Sequence, residues 1–329
     1  MVQLVGQEVG KTGFGLMGFT WRANPISQEE AIKTMKAAFN AGAVFWNGGE
    51  FYGTKDYNSL HLVNAYFTKY PEDADKVVLS IKGGVGEDLT PRGDEAGVRR
   101  SVDLCLKLLD GKKSLDLFEC ARVDPKTPIE TTIGVLAQYV KEGKIKGISL
   151  SEVKAETVER AAKVHPIAAV EVELSLWATD ILQNGVAAAC AKHDIPVVAY
   201  SPIGRGFLTG QVRSLDDIPE GDFRKFLPRF QPENFSKNLD LVKELQKLAE
   251  QKGCTPAQLA ISWCISLSGR KGMPVIIPIP GATTEARVQE NTKEVTLSDS
   301  DLQEIQTILD NAVVIGGRYG GAQAQLIEG

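Results

Sequence analysis

A phenol and an ammonium stand about thirty residues apart in this sequence, each just past a short apolar run. Tyr52 lies in Trp46-Asn47-Gly48-Gly49-Glu50-Phe51-Tyr52-Gly53, after Val44-Phe45, and Lys82 ends the run Val77-Val78-Leu79-Ser80-Ile81. If both runs are strands of one parallel barrel, the two side chains meet at one rim. The ammonium would then lower the phenol's pKa and let it pass a proton to a carbonyl oxygen at neutral pH. Taken singly, a surface-loop tyrosine and a strand-end lysine are the plainer readings. The elements that must position them decide between the two.

Helix and strand signals alternate along the chain. Ser27-Gln28-Glu29-Glu30 reads as a capping box, after which Ile32, Met35 and Phe39 recur at helical spacing until Gly42. Val63, Tyr66, Phe67 and Tyr70 form a second stripe, ended by Pro71. Thr127-Pro128-Ile129-Glu130 and Thr255-Pro256-Ala257-Gln258 predict two more helix starts, the first a capping box with proline at the first helical position. Between the helices lie eight short runs without helical period: 13–17, 44–47, 77–82, 115–121, 145–150, 167–172, 197–200 and 275–278. Eight short strands, each followed by a helix, predict a single (β/α)8 TIM barrel over residues 1–329. A doubly wound sheet is the alternative. Its glycine fingerprint is approximated by Gly13-Phe14-Gly15-Leu16-Met17-Gly18, which leads into Thr20-Trp21-Arg22 and not directly into a helix. The stretch 201–235 lacks periodicity and is rich in glycine and proline, which predicts a lid or binding loop after the seventh strand. The glycines of 316–321 predict a mobile C-terminal tail.

The chain has 329 residues, 43% hydrophobic and 24% charged, with a net charge of -5 and a pI near 5.5. Scattered basic residues on an acidic chain give no reason to expect nucleic acid. No apolar run reaches the roughly 18 residues of a membrane span, and the N-terminus has no signal-peptide pattern. Five cysteines without ligand spacing suit a reduced, cytoplasmic protein. His61, His165 and His193 lie away from every motif, which argues against a metal site or a Ser-His-Asp triad.

Asn47, Lys82 and Ala121 end the second, third and fourth predicted strands, and at this point the chain resembles the aldo-keto reductases over nearly its whole length. That family's site is Asp, Tyr, Lys and His. Its first two members lie in a motif close to F-D-T-A-E-x-Y-G, and its His in a D-L-Y-x-x-H-x-x-D-P run. The matching segments here are 46–53, Ile81-Lys82 and Asp116 to Pro125. Tyr52 and Lys82 match, Asn47 replaces the Asp, and Ala121 replaces the His. The resemblance implies NADPH as cofactor. Ser151 and Glu152, with Glu171, would contact its carboxamide, and Tyr200 would lie under the nicotinamide ring. Leu16, Met17, Ser201, Pro202, Gly204, Gly206 and Leu208 would line the rest of its path. Gly281, Thr283, Arg287, Glu290 and Asn291 would hold the adenosine 2'-phosphate, with Arg287 at a helix start as the clamp. The Gly15-Leu16-Met17-Gly18 and Thr20-Trp21-Arg22 cues and the Asn-x-Gly-Glu-Phe-Tyr-Gly loop are similar to the fungal pyridoxal reductase branch, which also tends to carry Asn and Ala at the two departing positions.

The implied reaction is reduction of a small-molecule aldehyde to its alcohol, with Tyr52 as proton donor; pyridoxal or a similar aromatic aldehyde is the expected substrate. Asn47 can hydrogen-bond Lys82 but cannot neutralise it, and an uncompensated buried ammonium is costly. Strand alternation offers Glu119 as a replacement counterion, one layer below Lys82 on the next strand, with Glu50 as the alternative. Ala121 opens space beside the acceptor oxygen, and Trp21, Phe51 and Trp177 are candidate walls. Arg122 would face an anionic ring oxygen or turn outward to Asp124 or Glu119. Two other functions stay open: an NADP(H)-binding sensor of low turnover, and a Schiff-base lyase using Lys82 as nucleophile. A monomer or weak homo-oligomer is expected.

Overall fold

The computed structural model describes residues 2–327 and 329. A hairpin, β1 (Val2–Leu4) and β2 (Gln7–Val9), precedes eight parallel strands. These are β3 (Phe14–Gly15), β4 (Phe45–Gly49), β5 (Val78–Gly83), β6 (Leu115–Cys120), β7 (Ile145–Ser151), β8 (Ile167–Glu173), β9 (Val197–Tyr200) and β10 (Ile276–Pro278), hydrogen-bonded in chain order. Gly13 and Gly15 close the cylinder. Their amides donate to Pro278 O and Pro280 O at 2.9 and 3.3 Å, and Gly15 bridges Gly281 in parallel. A Cβ on Gly15 would sit 2.9 Å from Ile279 O, so these glycines serve close approach of β3 to β10 and not a phosphate. Only a four-residue helix, Met17–Thr20, follows them.

The eight expected strands are all present, their ends shifting by at most two residues. The hairpin was not anticipated, because two three-residue strands are too short to show a period. Outward residues such as Trp46, Leu79, Phe118, Ile148 and Val170 pack under the helices. Inward Phe45, Val78, Leu117, Ala169, Val198 and Ile277 join Leu4 and Val9 of the hairpin in an apolar plug at the barrel floor. Two residues further along the same inward columns come Asn47, Glu119 and Glu171, so the plug carries a polar layer.

Three expectations need correction. Thr127 does not cap a helix: helix Ile129–Lys141 starts at Pro128 without a side-chain cap, and Thr127 Oγ1 donates instead to Asp124 at 2.9 Å. The long loop after the seventh barrel strand is present, with four short 3-10 turns along it, but it ends before 235, because helix Pro232–Gln251 already begins at Pro232. The glycine-rich tail is docked: Arg318 is buried and ion-paired across the barrel mouth. None of the helices among the described residues is long and apolar enough to cross a membrane.

Candidate active site

Lys82 sits near the end of β5, in register with Gly49 on β4 and Glu119 on β6. The loop after β4 is pinned to it: Glu50 N donates to Lys82 O at 2.9 Å, and Asn58 Nδ2 donates to Glu50 O at 2.7 Å. Asn58 also caps helix Ser59–Lys69, which fixes where the loop must end. Thr20 Oγ1 donates to Tyr52 O at 2.6 Å. The Tyr52 ring lies over Gly49, where a Cβ would be 2.9 Å from the ring. The phenol is thereby buried within electrostatic reach of Lys82.

Lys82 is enclosed by carboxylates. Its Nζ is 2.7 Å from Glu119 Oε1 and 2.6 Å from Glu171 Oε2. Asn47 Nδ2 donates to Glu171 at 2.6 Å and to Glu119 at 3.4 Å, so one amide ties the two acids together. Asn47, Lys82, Glu119 and Glu171 are all buried. Burial disfavours the ammonium, but the charges of Glu119 and Glu171 outweigh it and hold Lys82 above the usual amine range. Glu119 is pushed up to about 8, by burial first and then by the neighbouring charge of Glu171. Glu119 therefore takes the counterion place the sequence suggested, but at the level of Lys82 and not a layer below it. Glu50 pairs elsewhere, with Arg100 at 2.9 Å.

The sign of the effect on Tyr52 reverses the expectation. Burial raises the phenol's pKa, Lys82 lowers it, and Glu171 and Glu119 raise it again, with a net shift upward. Burial is the largest cause, and the lysine's field is opposed by that of its own counterions.

Around the mouth, Ser151 is the register partner of Glu171 and faces inward, and its hydroxyl is buried with no hydrogen-bond partner among the described residues. An orphaned hydroxyl at this strand end fits an amide ligand such as the carboxamide of nicotinamide. Glu171 is engaged by Lys82 and Asn47 rather than left for that ring. Glu152, held at a positive φ of 51°, accepts both guanidinium arms of Arg318 at 2.9 and 3.0 Å and the Tyr200 hydroxyl at 2.9 Å. The Tyr200 hydroxyl also meets that of Tyr319 at 2.9 Å. Ser201, Pro202, Gly204 and Gly206 form the turn after β9, with Gly204, Arg205 and Gly206 all at positive φ, and Leu208 is buried behind it. Leu16 is buried and donates its amide to Asn47 O, with half-buried Met17 beside it. At the other end, Thr284 caps helix Glu285–Thr292, Arg287 is exposed and held by Gln211 at 2.7 Å, and Asn291 reaches Gly281 O at 3.5 Å. Thr283 and Glu290 flank it half-buried. An exposed arginine at a helix start fits an anionic group, as the notion of a phosphate clamp requires.

On the substrate side, Trp21 stacks on Tyr52 with ring centroids 5.2 Å apart, and Phe51 meets both edge-on. Trp177 packs instead in an aromatic cluster, 4.2 Å from Phe207 and edge-on to Phe230. Arg122 turns to neither Asp124 nor Glu119. Its Nη1 donates to Ala121 O at 2.6 Å, its guanidinium lies 5.4 Å from the Tyr319 ring, and its Nε is buried without a partner among the described residues. Sequence reasoning missed Arg205, Glu173, Arg318 and Tyr319, which join in one ion-pair and ring cluster at the mouth. The one available signal was Arg318-Tyr319, a basic and an aromatic residue set among glycines.

Residues 11–310 match the Aldo/keto reductase family. The chain is 42% identical over 324 residues to the "Probable pyridoxal reductase 2" of Schizosaccharomyces pombe, covering 95% of this chain and 96% of that one. It is 37% identical over 316 residues to an NADP(+) aldo-keto reductase, yakc, of the same organism, covering 93% and 90%. Among solved structures, a glycerol dehydrogenase from Gluconobacter oxydans superposes with a TM-score of 0.81 at 24% identity, over 95% of each chain, which speaks to the fold.

Proposed function

This chain belongs to the aldo/keto reductase family, and from that premise we propose that it reduces pyridoxal, or an aromatic aldehyde like it, to the primary alcohol with NADPH in the cytoplasm. The observation that carries the reading is the Tyr52 phenol above Lys82, which two buried carboxylates keep cationic. NADPH, when bound, supplies the hydride taken up by the carbonyl carbon. Ser151 would hold its carboxamide and Arg287 its 2'-phosphate. Tyr52 O–H gives its proton to the carbonyl oxygen as negative charge develops there, and Lys82 steadies the phenolate left behind. Trp21 and Phe51 supply a flat apolar wall for an aromatic ring. Arg122, with no carboxylate partner among the described residues, suits a ring bearing an anionic oxygen. The likeness to a pyridoxal reductase supports the same substrate class.

A Schiff-base role for Lys82 finds no support, because a nucleophilic amine must lose the proton that Glu119 and Glu171 hold on. A sensor of low turnover is favoured by one observation, the upward shift of Tyr52, which makes it a weak acid. An aldehyde panel assayed with NADPH and NADH, followed by NADPH absorbance, separates the two. Pyridoxal-dependent oxidation with release of pyridoxine is expected. Failure of every aldehyde to oxidise bound NADPH in stopped flow would favour the sensor.

A further inference from the structure

The charge count around Lys82 does not close with both acids ionised. Two carboxylates lie within 2.7 Å of one ammonium, all three groups are buried, and Asn47 bridges the acids without adding charge. The apolar plug beneath offers nothing to balance a second negative charge. The groups facing the acids can be taken element by element. β5 presents Lys82, β4 the neutral Asn47, and the loop after β4 the phenol of Tyr52. β7 presents the hydroxyls of Ser149 and Ser151, which are register partners of Ala169 and Glu171. β6 adds Cys120 beside Glu119, with a thiol that burial keeps protonated, and from the tail Tyr319 is felt at Tyr52. From the loop after β6, Arg122 is felt at Tyr52 but donates to Ala121 O, and among the described residues no cation other than Lys82 is ion-paired with either acid. An isolated negative charge in such a place is far more costly than a bound proton.

We propose that Glu119 and Glu171 hold one proton between them, and that this singly protonated pair replaces a carboxylate at Asn47 in setting the charge of Lys82 and the acidity of Tyr52. The pair acts through Lys82 and is a positioning couple, not a catalytic one. With the proton in place, Lys82 and one carboxylate cancel, and Tyr52 meets a neutral floor. Once the proton leaves, the floor carries a net negative charge, the phenol holds its own proton more tightly, and proton donation slows. Reduction should therefore fall on the alkaline side as the pair ionises. Either acid alone gives the neutral floor at all working pH values, so the pair also makes each member individually replaceable as counterion.

The part of this proposal that concerns rate rests on the reductase reading; the shared proton does not. Infrared difference spectra of the intact protein, titrated from about pH 6 to about pH 10, read the proton directly. A protonated-carboxyl stretch is expected in the wild type at neutral pH, lost as pH rises, and absent from both Glu119→Gln and Glu171→Gln. Its absence from the wild type at neutral pH overturns the proposal whether or not the protein turns over any aldehyde. If the wild type shows the band but no aldehyde is reduced, the reductase reading fails and the pair stands. In kinetics, each single variant should lose the alkaline fall in kcat. The double variant should lose about a hundredfold in kcat, since Lys82 then has no counterion. Adding Asn47→Asp to the double variant should recover much of that loss. Persistence of the alkaline fall in both single variants, or no recovery with Asn47→Asp in a double variant that folds by circular dichroism, overturns the role assigned to the pair.

Discussion

In the proposed reaction Tyr52 acts as an acid from a place where burial and the neighbouring acids hold its proton on. Such a group gives up its proton late, when the carbonyl oxygen has already gained charge, so its removal should be felt in the chemical step and not in binding. Tyr52→Phe is expected to lower kcat by about a hundredfold to ten-thousandfold, while a fluorescence titration shows NADPH binding intact; preserved turnover would mean the proton comes from elsewhere. Arg122 makes a contrasting case: its buried Nε has no partner among the described residues and its guanidinium lies against Tyr319, and the role proposed for it is in binding. For Arg122→Leu the KM for pyridoxal should rise about tenfold or more, the scale of one lost charged hydrogen bond, whereas benzaldehyde should be little affected. Equal effects on both substrates would remove Arg122 from anion recognition. At this scale the meeting of Tyr52, Lys82 and Glu119 was legible in the sequence, because strand ends and two-residue alternation place Lys82 and Glu119 on neighbouring strands and Tyr52 in the loop after the strand beside them. Glu171 was not. It reaches Lys82 from β8, three strands away in the sheet, across an interior that exists only once the barrel is closed. Alternation tells which face a residue takes, but not which distant strand it will meet there.

The elements place these side chains through a few tight approaches. Gly49 ends β4 under the Tyr52 ring, with no room for a methyl group: a Cβ would be 2.9 Å from the aromatic carbon. Gly49→Ala should push the ring off the strand end, costing about 1–3 kcal/mol by overpacking and lowering kcat well beyond what the stability loss explains. Urea melts and steady-state rates on the same preparation would check this, and unchanged rates would show that Tyr52 tolerates the shift. The tail is the second such element. Arg318 is bidentate to Glu152 and within 3.5 Å of Glu173, and its carbonyl receives Arg205. Arg318→Ala strands buried acid charge and should cost roughly 3–5 kcal/mol, seen as a lower urea midpoint; an unchanged midpoint would mean the tail adds nothing to the folded state. The strand and helix pattern could be read from the sequence because it is local and repeats with each β/α unit. The tail could not, since glycine composition reports backbone freedom and says nothing of an ion pair to a residue 166 positions earlier. Thr127 failed as a cap for a related reason: its hydroxyl is turned to the carboxylate of Asp124 in the preceding turn, and the helix begins after Pro128 with no side-chain cap.

For the whole molecule, the polar layer above the apolar plug makes stability depend on pH in a way that can be signed. Glu119 has its folded pKa raised from 4.5 to about 8, chiefly by burial and then by Glu171. Between those values the folded protein keeps a proton that the unfolded chain has released, so unfolding free energy falls as pH rises. The stabilisation is fully present below 4.5 and is lost as pH passes through about 8. Glu152 works the other way: burial raises it, but Arg318 lowers it by more, so its contribution holds above the usual carboxylate range and is lost as pH falls. Stability is thus eroded from both sides by two buried glutamates whose partners differ. One shares its site with another acid, and the other faces an arginine. In urea melts from about pH 6 to about pH 8, the wild type should lose stability at up to about 1.4 kcal/mol per pH unit from Glu119. Glu119→Gln removes that titration and should flatten the slope, while leaving the acid-side loss attributed to Glu152 in place. A slope equal to that of the wild type would mean Glu119 enters the folded barrel already ionised, and the polar layer would then have to find its balancing charge outside the groups that face it.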